Sequence, residues 1–278
     1  MTGPAIHAGV GEGQEGRQMG AEFDSTVLVS RDGTSISAGH LRHSGDLCLV
    51  VAHGFTGRWR SDRVQRVVGV LSRFAAVVVL DMRGHGESGG VTTIGHKEIW
   101  DVSAAVAWAH ELGYRHVVTV GFSMGGAVVL RQAAFPRGDD DRVDAVIAVS
   151  APAFWYYRGT KIMRRMHRVV ASRIGRSFMR TRGTRIDAEG WPDPMPESPV
   201  EAITRYPHLP VLLVHGDVDR YFPLEHPRSL HAAAISSGNQ DVELWEIPGF
   251  GHAESAIDEQ TLERIATWAR EQIARVES

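Results

Sequence analysis

This chain of 278 residues has few cysteines and no long apolar run, and each of these absences excludes a structural feature. Cys48 is the only cysteine, so no disulfide can form within the chain. It lies in the apolar run LCLVVAH and is expected to be a small core residue; the alternative is a reactive thiol. No apolar run approaches the roughly 20 residues of a membrane span. Residues 1–20 contain no apolar stretch typical of a signal peptide, and we expect them to be a flexible leader.

Charge is also nearly balanced. The net charge of −3 gives the whole molecule no attraction to nucleic acid. Together with the lone cysteine, these observations predict a cytoplasmic protein without a transmembrane segment.

The chain does contain an alternation of strand and helix patterns. Several strand candidates are apolar throughout, as expected for strands buried on both faces of a parallel sheet. This alternation predicts an α/β fold with a mostly parallel eight-stranded sheet flanked by helices, in which the first two strands form an antiparallel edge. The strand candidates are STVLVS, TSISAGHL, LCLVVAH, AAVVVLD, HVVTVG, DAVIAVS, PVLLVHG and VELWEIP. The helix candidates are Asp62–Ser72, Lys97–Leu112, Met124–Phe135, His226–Ser236 and Glu259–Val276.

One segment interrupts the alternation. Residues 154–206 separate the strands AVIAVS and PVLLVHG, and this connection is far longer than is usual between a strand and its neighbour. We therefore predict a core domain made of residues 21–153 and 207–278, with residues 154–206 inserted into it.

The sequence GFSMG stands between a β-branched run and a helix of small residues. A serine hydroxyl needs a base to remove its proton, a group to orient that base, and donors for the oxyanion. A sharp turn from strand to helix would expose Ser123, and Gly121 and Gly125 would relieve crowding at that turn. The following helix points its N-terminus at the site, where developing negative charge is favoured. In this strand–turn–helix context the motif indicates a nucleophile elbow.

From about Leu47 to the last helix, the chain resembles the α/β-hydrolase family. The resemblance implies the chain order Ser, Asp, His for a catalytic triad. Ser123 is then the nucleophile, and the loop HGDVDRYFP places the acid at Asp219, with Asp217 as the less favoured alternative. The loop GFGHAES places the base at His252.

The resemblance also implies the oxyanion hole. Its donors would be the backbone N–H groups of Phe55, in the loop HGFTG, and of Met124. His53 would shape this loop, and the phrase DMRGHGES, with Asp81, Arg83 and His85, would belong to the scaffold. The reaction implied is acyl transfer to water, and it needs no metal or organic cofactor.

Residues 154–206 resemble the cap of this family. Between positions 154 and 185 the chain has ten Lys and Arg residues and no Asp or Glu, and apolar residues recur at helical spacing: Ile162, Met163, Met166, Val169, Val170, Ile174 and Phe178. One interpretation is an amphipathic helix with its apolar face on the sheet and solvated cations outside. Two others are a funnel for anionic substrates and peripheral contact with an anionic membrane.

The aromatic cluster FWYY opens the insertion. We expect Phe154, Trp155, Tyr156 and Tyr157 to bind an apolar part of the substrate, or alternatively to form the hinge and core of the cap. The predicted function is hydrolysis of a small carboxylic ester with an apolar acyl part, because the HGFTG loop resembles that of carboxylesterases and monoacylglycerol lipases. The alternatives are a thioesterase and, in another class, a small-ligand receptor that retains the fold.

Overall fold

Eight strands form one sheet in a computed structural model that describes residues 23–276; the predicted leader, residues 1–20, lies outside the described residues. The strands lie in the order β1-β2-β4-β3-β5-β6-β7-β8, and only β2 runs against the others. The predicted fold, a mostly parallel sheet with an antiparallel edge, is confirmed. The strands are β1 Asp24–Val29, β2 Ser35–Leu41, β3 Leu47–Ala52, β4 Ala76–Leu80, β5 His116–Phe122, β6 Ala145–Val149, β7 Val211–Gly216 and β8 Val242–Ile247.

Helices cover both faces of the sheet, which explains why the central strands are apolar on both sides. One core lies under α2, α3 and α7, and the other lies under α1 and α9. The helices are α1 Asp62–Leu71, α2 Glu98–Glu111, α3 Met124–Ala134, α4 Lys161–Ala171, α5 Arg173–Thr181, α6 Pro199–Ala202, α7 Glu225–Ser236, α8 Ala253–Ala256 and α9 Glu259–Val276, with a 3-10 helix at Ile203–Arg205.

The long connection between β6 and β7 contains α4, α5 and α6. Its middle is joined to the loop after β4, because Thr92 N–H donates to the carbonyl of Arg185 (2.7 Å) and Arg185 N–H donates to that of Gly84 (2.7 Å). These backbone contacts fix the connection above the carboxyl ends of the strands, where α/β sheets place their sites.

The predicted amphipathic pattern in this segment does not form one helix. It divides at Ser172, whose extended backbone ends α4 and whose hydroxyl caps α5 by accepting from Gly175 N–H (2.9 Å). The expectation of a single apolar face on the sheet is wrong beyond this point. Ile174 is 85% exposed and Phe178 is 51% exposed.

Candidate active site

Ser123 lies in a sharp turn between β5 and α3. Its φ of 52° is unusual for a residue with a side chain and is held by a hydrogen bond from its N–H to the carbonyl of Val149 (2.8 Å). A Cβ on Gly121 would lie 2.2 Å from the carbonyl oxygen of Gly125, and a Cβ on Gly125 would lie 2.2 Å from that of Ala52. Both glycines are therefore needed for the close approach of backbone that this turn requires.

The structure brings Ser123, His252 and Asp219 into one hydrogen-bonded chain. His252 Nε2 is 2.9 Å from the hydroxyl oxygen of Ser123, and His252 Nδ1 is 2.7 Å from Oδ2 of Asp219. An acceptor as strong as a carboxylate fixes the proton on Nδ1, which leaves Nε2 to accept from the serine hydroxyl.

Asp219 follows β7 and is held from several sides. Its Oδ1 accepts from the N–H groups of Tyr221 (2.7 Å) and Phe222 (3.1 Å). Its side chain is fully buried, and its Oδ2 also lies 3.4 Å from Nε2 of His215. Burial lowers the pKa of His215, so this second histidine is a neutral neighbour at pH 7. The carboxylate is thereby oriented with one oxygen toward His252.

Aromatic rings enclose the imidazole of His252. The ring of Tyr221 stacks on it with centroids 4.2 Å apart and planes 23° apart, and Phe222 contacts it from another side at 5.7 Å. No motif in the sequence assigns Tyr221 or Phe222 to the site. Their position directly after Asp219 was the available signal.

The two predicted oxyanion donors, Phe55 and Met124, line the same pocket as Ser123. Met124 is the first residue of α3, so its N–H has no acceptor within the helix. Among residues 23–276 the N–H of Phe55 also has no hydrogen-bond acceptor. An oxyanion hole needs two such unpaired N–H groups directed at the reacting carbonyl, so both residues stay candidates for that role.

His53 lies beneath this loop and faces the backbone. Its Nδ1 donates to the carbonyl of Gly54 (2.7 Å), and its Nε2 accepts from Met82 N–H (3.2 Å). Burial lowers the pKa of His53 to about 3, which keeps the ring neutral so that one nitrogen can accept. The ring of His85 packs against it, with centroids 5.0 Å apart.

The other acidic and basic residues of the motifs lie outside the hydrogen-bonded chain. Asp81 accepts from the N–H groups of Trp59 (2.6 Å) and Glu87 (2.9 Å), and so fixes the loops after β3 and β4. Arg83 makes a buried ion pair with Asp101 (2.7 Å). Asp217 accepts from the N–H of an adjacent loop at 2.7 Å and does not approach His252.

A pocket of about 240 Å³ opens above Ser123 and is mainly apolar. Phe154, Trp155, Tyr156 and Tyr157 all line it, as do Met163, Met166 and Val170 from α4 and Trp191 beyond α5. Of the ten cations between positions 154 and 185, none is among the described residues that line this pocket. Three of the four α4 residues that line it, Met163, Met166 and Val170, are apolar, and the fourth is His167, which does not favour a funnel for anionic substrates.

Residues 48–172 match the model of a family described as the alpha/beta hydrolase fold. Over 90% of its length the chain also superimposes on 92% of an esterase from Pyrococcus furiosus, Pf2001, with a TM-score of 0.71 and 21% identity. The chain has the α/β-hydrolase fold.

Other proteins are also similar to this chain. It is 30% identical to Esterase LipC of Mycobacterium tuberculosis over 182 residues, 58% of this chain and 42% of that protein. It therefore spans less than half the length of this curated relative. Est1E of Butyrivibrio proteoclasticus, solved with ferulic acid bound, superimposes with a TM-score of 0.61 at 23% identity, covering 90% of this chain and 100% of that chain.

Two other kinds of feature are absent from the described part of the chain. Within residues 23–276, no helix is both long and apolar enough to cross a membrane. The same residues contain no group of three or more His, Cys, Asp or Glu side chains that could hold a metal ion.

Proposed function

We propose that this protein, which has the α/β-hydrolase fold, is a serine esterase that cleaves a carboxylic ester through an acyl-enzyme on Ser123. The observation that supports this most directly is the chain of hydrogen bonds from Ser123 through His252 to Asp219. The names of the similar proteins, two of which are called esterases, agree with it.

In the proposed mechanism, Ser123 attacks the ester carbonyl while Nε2 of His252 takes its proton. Asp219 holds the imidazole in the tautomer that accepts at Nε2, and stabilises the cation that forms. The N–H groups of Phe55 and Met124 donate to the oxyanion. His252 then protonates the departing alcohol, and water activated by the same imidazole releases the acid.

We propose that residues 154–206 act as the cap of this site. The apolar side chains of α4 and the cluster from Phe154 to Tyr157 would bind an apolar acyl part, because contact with these side chains removes acyl surface from water. The acyl part of a thioester would contact the same apolar side chains, so thioesterase activity is tested together with esterase activity. The receptor hypothesis remains the alternative of another class.

The test is hydrolysis of p-nitrophenyl esters from acetate to palmitate, with acyl-CoA thioesters in parallel. We expect cleavage of esters, and a loss of kcat of at least about 10³-fold in Ser123→Ala, since removal of a triad nucleophile abolishes the acyl-enzyme route. A fluorophosphonate probe should label wild-type Ser123. Saturable ester binding without turnover or labelling would contradict the proposal and favour a receptor.

A further inference from the structure

Glu254 places a carboxylate against the loop of the oxyanion hole. It is two residues beyond His252, in α8, and is only 6% exposed. Its Oε1 accepts from the N–H of Gly54 at 2.6 Å, and it is among the residues that line the pocket above Ser123. Nothing in the triad mechanism uses this group.

The second oxygen of this carboxylate has no partner. Among residues 23–276, no hydrogen bond reaches Oε2 of Glu254, and no Lys, Arg or His nitrogen lies within 4.0 Å of either oxygen. The nearby cations are engaged elsewhere: Arg66 donates to the backbone carbonyl of Glu254 (2.7 Å), and Arg63 donates to that of Thr56 (3.1 Å). Among residues 23–276, Oε2 is not one of the unpartnered polar atoms closed off from solvent, and Glu254 is one of the residues that line the pocket.

This oxygen is also near the reacting centre. A Cβ built on Gly54 would lie 3.2 Å from Oε2 of Glu254 and 3.3 Å from Cβ of Ser123. A nearly buried carboxylate with a single donor is costly, and its negative charge opposes the oxyanion that develops beside it. Both effects are reversed if the bound substrate brings a positively polarised group to Oε2.

The residues around Glu254 indicate which part of the substrate would bring such a group to Oε2. The acyl part has the apolar side chains of α4 available to it. Glu254 lies with Arg63 and Ser255 among the polar lining residues and directly follows the loop of His252. His252 protonates the leaving oxygen, so the alcohol part lies next to this loop.

We propose that Glu254 binds the alcohol part of the substrate and selects esters whose alcohol carries a cationic group or a hydroxyl close to the ester oxygen. This rests on the proposed esterase function and deepens it. The shared chemistry is positive potential directed at Oε2, supplied either by a full charge or by an O–H donor.

The test uses two pairs of butyrate esters whose alcohol parts differ in polarity. Choline butyrate is compared with 3,3-dimethylbutyl butyrate, which has the same shape without charge, and glycerol monobutyrate is compared with propyl butyrate. Since hydrogen bonds and contacts to a charged group are worth more than neutral ones, we expect kcat/KM to favour the polar member of at least one pair by about tenfold. The pair that shows the preference tells whether the positive potential comes from a full charge or from an O–H donor.

Glu254→Gln should remove most of that preference. The amide oxygen of glutamine still accepts from Gly54 N–H, so the loop stays in place while the charge is lost. Glu271→Gln makes the same change on the exposed face of α9, far from the pocket, and should leave both ratios as in the wild type. Equal ratios in wild type and Glu254→Gln would overturn the proposal.

Failure of the esterase function is recognised separately. If no ester is cleaved, binding of the same four esters is measured by calorimetry in Ser123→Ala, with and without Glu254→Gln. If the polar ester of a pair binds more tightly and this difference is lost in Glu254→Gln, Glu254 binds the alcohol part although no ester is cleaved. Equal binding within both pairs overturns it.

Discussion

At the scale of single residues, the glycines around Ser123 show how little room the turn leaves. A Cβ on Gly125 would overlap the backbone of β3, since its nearest neighbours are the carbonyl oxygens of Ala52 and His53, at 2.2 and 2.6 Å. Backbone cannot yield as the end of a flexible side chain can. We expect Gly125→Ala to lower the free energy of unfolding by more than about 2 kcal/mol, measured by urea denaturation.

Gly69 on α1 is the matched control for this change. It has a helical backbone and no atom within 4 Å of the place where a Cβ would stand. Gly69→Ala should therefore stabilise the protein by about 0.5–1 kcal/mol, because alanine loses less conformational freedom in a helix. Equal effects of the two substitutions would show that crowding at the turn is not the cause.

The site residues also differ in how far they could be predicted from the sequence. Ser123, Asp219 and His252 each follow a strand in a recognisable loop, and the structure brings them together. Glu254 and Tyr221 cannot be assigned to the site from the sequence, because their positions depend on how two loops fold back after their strands. Nothing in the periodicity of a sequence specifies that geometry.

At the scale of elements, the strands and the core helices can be predicted from the sequence. Their apolar residues recur at the period of each element, and these residues pack in the cores on the two faces of the sheet. The division into α4 and α5 cannot be predicted in this way, because the apolar spacing continues through Ser172 although the helix ends there. Serine is favoured at helix N-caps, so Ser172 is a signal for the start of a new helix, and its hydroxyl accepts from Gly175 N–H. The continuous apolar spacing conceals this signal. Exposure of Ile174 and Phe178 depends on what α5 packs against, which sequence alone does not tell.

The outer face of α5 supports the expectation of contact with an anionic membrane. Ile174 and Phe178 are one turn apart and exposed, and the only charged residues of this helix are arginines. We expect binding to vesicles that contain phosphatidylglycerol, weaker in high salt, and little binding to phosphatidylcholine alone. Replacing both Ile174 and Phe178 by serine should reduce vesicle binding about tenfold or more in a sedimentation assay.

The control for this experiment is Ile235→Ser, which changes an exposed apolar residue on α7. It should leave vesicle binding unaltered. Binding that is insensitive to the α5 substitutions, or equal for neutral and anionic vesicles, would contradict a membrane role for this face.

At the scale of the whole molecule, buried neutral histidines link stability to pH. Burial lowers the pKa of His226 to about 4, with a smaller effect from His215, while Asp219 acts in the opposite direction. The unfolded chain binds this proton near pH 6.5, so between pH 6.5 and 4 it holds more protons than the native state. Stability should therefore fall as the pH is lowered through this range, by at most about 1.4 kcal/mol per pH unit from this group.

His226→Asn tests this contribution. The Nδ1 of His226 accepts from Ala153 N–H (2.9 Å), and the amide oxygen of asparagine can replace that acceptor without titrating. Urea denaturation at pH 7 and pH 5 should give a smaller loss of stability for the variant than for the wild type. An identical loss would assign the acid sensitivity to other groups.

The wide separation of the site's parts along the chain has a consequence for folding. Ser123 and His252 are 129 positions apart, and Gly54 and Glu254 are 200 apart, yet each pair is joined by one hydrogen bond. Such distant contacts form late, because a long loop must close before they can be made. In a chain in which β3 to β8 have not yet paired, Ser123 does not meet His252, and Gly54 does not meet Glu254. Under the proposed mechanism, partly folded molecules therefore cannot hydrolyse an ester, because Ser123 meets its base only when the sheet is complete.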